Sequence, residues 1–332
     1  MAWTRRERQR RRRGVRQLAA VGVVLAVVGV IGGFELQARQ AEGQGFELPG
    51  PGEEDLKVLL RTQDELNAHG YRDVERQLAP RPGVPRVAVL GDSVAFGQSV
   101  ASHQAFPRVT DSLLEGIEVL NLGQTGFDIQ QVTALARHRL PAWRPDLVVY
   151  AFHTNDRVET RLVRVGDRAR PLHVATGLSP PLRWLRSRSA MVRLYLGARA
   201  ARQLARDGVP GEAEQARFFQ TWAPRLVEAV GPDRLLVFTV PHHRLAAADC
   251  GAWSGDPAQC SADEAALAQA TALFEGLGVP VLAGRPALAE LGPDALVIHA
   301  DPHHPSVSGH ARLARVLAQA LAQRLSPLDR SD

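Results

Sequence analysis

Four short polar segments carry side chains that could do chemistry. Gly91-Asp92-Ser93 follows a predicted strand at 86–90, and Gly123-Gln124-Thr125-Gly126 follows one at 118–122. His153-Thr154-Asn155-Asp156 follows a third at 147–152, and Asp301-Pro302-His303-His304-Pro305 precedes a last amphipathic stretch. Acyl transfer is the chemistry this set could support. A serine on a tight turn after a strand exposes its hydroxyl, which is a poor nucleophile without a base. His304 can be that base, and Asp301, three residues earlier, can bind the other imidazole nitrogen and fix the tautomer. His303, two residues from Asp301, would point to the other side of an extended loop. A tetrahedral intermediate needs donors where its oxyanion forms. The Ser93 and Gly123 N–H groups and the Asn155 side-chain amide are the available set, and a glycine at 123 allows close backbone approach.

Other residues carry less. His242 and His243 follow the fourth predicted strand and could line the pocket together with His153. Asp92 reads as a turn carboxylate. His299, Asp301, His303, His304 and His310 are close in sequence, but His310 should start a helix facing elsewhere, and neither CxxC nor HExxH occurs. No metal and no cofactor are expected. Cys250 and Cys260 are the only cysteines. In an oxidising compartment they could close their Gly/Pro/Asp-rich loop, contributing about 3 kcal/mol on the chain-entropy model.

Those segments need a scaffold that brings them to one edge. Strands are predicted at 86–90, 118–122, 147–152, 234–240 and 279–282, with helices at 107–114, 129–139, 218–230, 263–277 and 308–325. Strands alternating with helices of this length indicate a parallel sheet covered on both faces, with ligands bound beyond its carboxyl ends. Upstream, residues 53–68 have leucines at helical intervals and are predicted as a helix. Residues 157–206 interrupt the alternation with twelve Arg and two acids. Within them 182–204 is predicted helical. This insert is either a solvated basic face or one that meets an anionic surface such as a membrane or acidic polymer.

The chain has 332 residues, 45% hydrophobic and 23% charged, which suits a globular protein and excludes a disordered or polytopic one. The net charge of +5 is misleading. Residues 1–16 hold eight Arg and one Glu, so the other 316 residues, with 32 basic and 34 acidic groups, are slightly acidic. Nucleic acid is therefore not an expected partner. Lys57 is the sole lysine, and no P-loop lysine follows a Gly-rich turn. After the Arg cluster, residues 18–34 are uncharged, long enough for a short bilayer span. An uncleaved anchor is the leading expectation, ahead of a cleaved signal or a soluble helix. The Arg flank would stay in the cytoplasm and the rest would lie outside. The organisation expected is a basic tail at 1–16, an anchor at 17–34, a linker and leader helix at 35–83, a catalytic domain at 84–325 containing the insert, and a tail at 326–332.

The segments RVAVLGDSVAFG, NLGQTG, FHTND and DPHHPSVSGH resemble, in order and spacing, the four blocks of the SGNH (GDSL) hydrolase family. Asn67-Ala68-His69-Gly70-Tyr71-Arg72-Asp73 is similar to the leader of exported or anchored bacterial members. His153 stands where the third block usually begins with Gly. The resemblance, over about residues 84–325, implies a flavodoxin-like three-layer α/β/α sandwich with a central parallel sheet, here preceded by a transmembrane helix. It also implies metal-free esterase, lipase or deacetylase activity, with Ser93, Asp301 and His304 as triad and Ser93, Gly123 and Asn155 as oxyanion hole. The G-x-S-x-G elbow of ordinary α/β-hydrolases is absent. The expected substrate is an acylated small molecule, lipid or polysaccharide. The alternatives are an O-acyltransferase with the same triad and an inactive binding module that keeps the fold.

Overall fold

The computed structural model describes residues 5–42, 46–47, 59–60, 65–158, 162–165, 168–171, 179–207, 210–296 and 304–325. A five-stranded parallel sheet is built from β1 (Arg86–Gly91), β2 (Glu118–Asn121), β3 (Leu147–Phe152), β4 (Leu235–Thr239) and β5 (Val281–Ala283), in the order β2-β1-β3-β4-β5. All five predicted strands are present. Each bears two apolar faces because alternate side chains point opposite ways. Ala88, Leu90, Val148, Tyr150, Phe152 and Val237 pack on one side against α4 (Ile129–His138), α7 (Glu212–Val230) and α8 (Pro257–Gly276). Val87, Val89, Val149, Ala151 and Phe238 pack on the other against α3 (Phe106–Leu113) and α9 (Val307–Leu325). The result is the three-layer α/β/α sandwich. From β1 the chain runs to β2 on one side, then crosses to β3 on the other. The crevice between β1 and β3, at their carboxyl ends, is thus the topological switch point where such sheets bind ligands.

Helix ends follow their caps. α8 begins six residues before the predicted 263, because the Asp256 side chain accepts from Gln259 N–H (3.0 Å) and Pro257 occupies the first turn. α7 likewise starts at Glu212, after Gly211 and with Glu212 and Glu214 in its first turn. Of the helix expected over 53–68, residues 53–58 and 61–64 lie outside the described residues, and the described ones are not helical. Leu59–Leu60 pairs antiparallel with Phe46–Glu47, and residues 65–70 form turns in which the Asn67 side chain accepts from His69 and Tyr71 N–H. That local bonding competes with a helix.

The insert holds an antiparallel hairpin, Leu162–Val165 with Arg168–Pro171, then α5 (Pro180–Arg188) and α6 (Ala190–Asp207). The single helix expected over 182–204 is broken at Ser189, whose backbone is extended (φ −117°, ψ 120°). Arg157, counted with the insert's basic face, is instead buried; its Nη2 donates to Glu212 (2.5 Å) and Gln269 (2.9 Å). Cys250 and Cys260 are joined by a disulfide.

At the N-terminus α1 (Arg5–Glu42) is longer than the expected 17–34. Its Ala19–Gln40 segment is long and apolar enough to cross a membrane, and the most apolar stretch within it is unburied, a test that a signal sequence meets too. The tail at 326–332 lies outside the described residues.

Candidate active site

Ser93 opens α2 (Ser93–Phe96), the single turn that follows β1. Asp92 caps that turn: its carboxylate accepts from Val94 N–H at 2.9 Å, and Asp92 is fully buried. This is the structural role expected of it. Gly97 ends the turn in the left-handed conformation (φ 80°), where a side chain would also collide with Ala105. The chain therefore reverses sharply around Ser93, whose N–H belongs to the unpaired amides of a helix start.

His304 arrives from the opposite end of the sequence. Its Nε2 lies 2.8 Å from Ser93 Oγ. Two features hold it there. Ser306, just ahead of α9, donates to Ala295 O (2.7 Å) and accepts from Gly309 N–H (3.2 Å). His310, one turn into α9, stacks on Phe106 and accepts from Phe106 N–H through Nδ1 (3.2 Å). Burial, aided by the nearby His304, pushes the His310 imidazole down to about 3, so it stays neutral and an acceptor. His310 thus faces α3, in line with the expectation that it points elsewhere. Asp301, His303 and His299 lie outside the described residues.

The loop after β2 reaches the same turn. A Cβ at position 123 would meet Phe96 N at 2.5 Å and Ala95 C at 2.7 Å, so only glycine lets the two backbones touch. Gly123 N–H donates to Asn121 Oδ1 (3.1 Å), a bond that an incoming oxyanion would have to share. Asn121 in turn donates to Arg72 O (3.2 Å).

Asn155 is exposed, in the 3-10 turn after β3. Its Oδ1 lies 2.9 Å from His153 Nδ1; an amide oxygen only accepts, so Nδ1 carries the proton and the Asn155 NH2 is turned the other way. His153 is extended at φ −118°, ψ 154°, a conformation that needs no glycine. Beneath it, Asp156 Oδ2 accepts from Tyr150 Oη (2.7 Å) and His153 N–H (3.2 Å). Burial, and then the Asp92 carboxylate, raise Asp156 well above the usual carboxylate range; burial and Asp156 likewise raise Tyr150. The turn that carries Asn155 rests on this hydrogen-bonded pair.

His242 and His243, at the end of β4, are buried; the His242 ring centroid lies 4.2 Å from that of His243 and 6.1 Å from that of His153. Arg244 Nε donates to His242 Nδ1 (3.0 Å) and sits 3.4 Å from Asp263. Among the described residues, no three His, Cys, Asp or Glu side chains gather as a metal site would require.

No local pattern singles out Asp156, Asn121 or Arg72, because nothing in the string distinguishes a buried carboxyl from a solvated one or marks a distant backbone contact. The Arg72 guanidinium donates to Gly97 O and Val100 O (2.6 Å for the latter), so the leader clamps the loop behind Ser93.

A serine hydroxyl bonded to an imidazole at a sharp turn after a strand is an arrangement suited to nucleophilic attack on a carbonyl. No protein-family model matches the chain, and no curated protein does. Solved structures similar to it include a lipase/acylhydrolase from Enterococcus faecalis (17% identity, 74% of this chain and 98% of that one, TM-score 0.46). A member of the lipolytic G-D-S-L family from Veillonella parvula is similar at 13% identity (73% and 100%, TM-score 0.45). An acetylxylan esterase from Geobacillus stearothermophilus is similar at 16% (71% and 93%, TM-score 0.43).

Proposed function

We propose that this chain is a serine ester hydrolase of the SGNH type that removes an acyl group, such as acetyl, from an envelope carbohydrate or lipid. The observation that carries this reading is the 2.8 Å contact between Ser93 Oγ and His304 Nε2 at the carboxyl edge of the sheet. Ser93 Oγ attacks the ester carbonyl as His304 Nε2 takes its proton, and Asp301 holds the imidazolium by its other nitrogen. The oxyanion is received by Ser93 N–H, Gly123 N–H and the Asn155 amide. Collapse expels the alcohol, protonated by His304. Water, deprotonated by His304, then releases the acid and restores Ser93.

The α1 segment serves in this reading as an uncleaved anchor, with its Arg flank in the cytoplasm and the catalytic body outside. The Cys250–Cys260 disulfide suits that compartment. Labelling by a fluorophosphonate probe that Ser93→Ala removes, followed by an ester chain-length series, tests the assignment. His304→Ala should nearly abolish turnover while His303→Ala keeps most of it. Absence of labelling, or equal losses at the two histidines, refutes the triad, and acyl transfer to a sugar hydroxyl instead of water makes it a transferase.

A further inference from the structure

The anchor helix does not leave the body as a free tether. Glu35, where the apolar run ends, caps the start of α6: its carboxylate accepts from Ser189 Oγ (2.8 Å), Ala190 N–H (2.8 Å) and Met191 N–H (3.2 Å). Arg39 donates to Arg188 O (2.9 Å) and to Glu35 (3.0 Å). Phe34, Gln37 and Ala38 of α1 share a cleft with Met191 and Leu194 of α6. α6 is thereby fixed at the level where the span emerges.

Along one side of α6, Met191, Tyr195, Arg199, Arg202 and Arg206 recur at intervals of four, four, three and four residues, which places all five within a narrow sector. All are exposed, Tyr195 at 66%, with exposed Leu194 alongside. Residues 180–207 contain seven Arg and one acid. An apolar and aromatic start beside the span, continued by a line of guanidinium groups, fits the boundary between hydrocarbon and anionic headgroups.

We propose that this ridge of α6 lies on the headgroups of an anionic phospholipid leaflet beside the anchor. The proposal rests on the reading of α1 as a span. Continuity with Phe34 and the charge of the ridge favour lipid over an acidic partner protein.

The test uses the full-length chain in nanodiscs. Its native cysteines are paired, so Tyr195→Cys, Val28→Cys and Glu275→Cys each carry a single fluorophore. In discs containing phosphatidylglycerol, spin-labelled lipid at headgroup depth should quench position 195 by about twofold or more, and position 275 not at all. In phosphatidylcholine discs, in high salt, and in the R199Q/R202Q/R206Q chain, that quenching should fall to the level of position 275, with hydrolysis of a soluble ester unchanged. An unquenched position 195 in anionic discs overturns the proposal. So does quenching that neither salt nor the arginine substitutions alter, which would reflect the nearby anchor alone. A label at position 28 that deep spin-labelled lipid cannot reach overturns the span reading instead.

Discussion

His153 holds the oxygen end of the Asn155 amide, so in the proposed mechanism the two residues should fail together but unequally. If Asn155 donates to the oxyanion as proposed, Asn155→Ala should lower kcat by about 10²–10³ with little change in KM. His153→Ala leaves the donor in place but frees its rotation, and should lower kcat by about tenfold, the worth of one neutral hydrogen bond. Steady-state kinetics on a chromogenic ester decides this, and an unchanged rate in Asn155→Ala would mean that the amide points away from the reacting carbonyl. Asp156 makes a different prediction. Its folded-state carboxyl is raised well above the ordinary 3.8, so the folded chain keeps a proton that the unfolded chain loses as pH rises. Stability from this group is therefore greatest below about pH 4 and declines with rising pH until the buried acid itself ionises. Asp156→Asn cannot titrate. It should start less stable at low pH, because its NH2 replaces an Oδ1 that lacks a partner. The deficit should then shrink steadily as pH rises toward 8. Thermal unfolding of both chains across that range checks the sign, and parallel curves would show that Asp156 is ionised in the fold.

At the scale of elements, α9 is the part that aims His304, and its seating against α3 depends on a histidine that must stay neutral. His310 has an ordinary value of 6.5 lowered to about 3 by burial. Its contribution is complete above pH 6.5 and is lost progressively as pH falls toward 3, because the unfolded chain takes up the proton first. His310→Asn keeps an acceptor for Phe106 N–H without a titrating ring. It should lose some packing at all pH values but fall less steeply than the native chain between pH 6.5 and 4, which acid unfolding followed by circular dichroism would read. The strands and most helices were legible in the sequence because Val87–Leu90 and Leu147–Phe152 are continuous apolar runs, as a sheet buried on both faces demands. Element ends were less legible where caps decided them, as Asp256-Pro257 did for α8. The helix expected over 53–68 does not reach its predicted end, because leucine spacing says nothing about Asn67, whose side chain ties up the backbone in a turn. At the candidate site, the placement of Ser93, Gly123 and Asn155 just after strands was legible, since each follows an apolar stretch. Asp156, Asn121 and Arg72 act through burial and distant backbone contacts that no local pattern records.

Over the whole molecule, among the described residues the two apolar layers on the sheet contain none from α1. The leader, by contrast, is built into the body. Buried Arg86 donates to Glu118 (2.6 Å) and to the carbonyls of Gln77 (3.0 Å), Leu78 (2.7 Å) and Ala79 (3.1 Å). Arg76 adds bonds to Asp73 (3.2 Å) and Asp111 (2.8 Å). The leader then reaches the candidate site through Arg72, so activity should need the chain from the leader onward and not α1. A chain beginning at residue 37 should be soluble and hydrolyse a small ester at the full-length rate, whereas the full-length protein should fractionate with membranes. Removing Glu35 also removes the cap on α6, a loss of about 0.5–2 kcal/mol that falls on the insert alone. Hydrogen exchange at Ala190 and Met191 should therefore quicken both in the shortened chain and in full-length Glu35→Ala, with kcat unchanged in each. A shortened chain that aggregates or loses activity would mean that α1 is part of the folded body, and faster exchange spreading into β1 or β3 would mean that the insert braces the sheet.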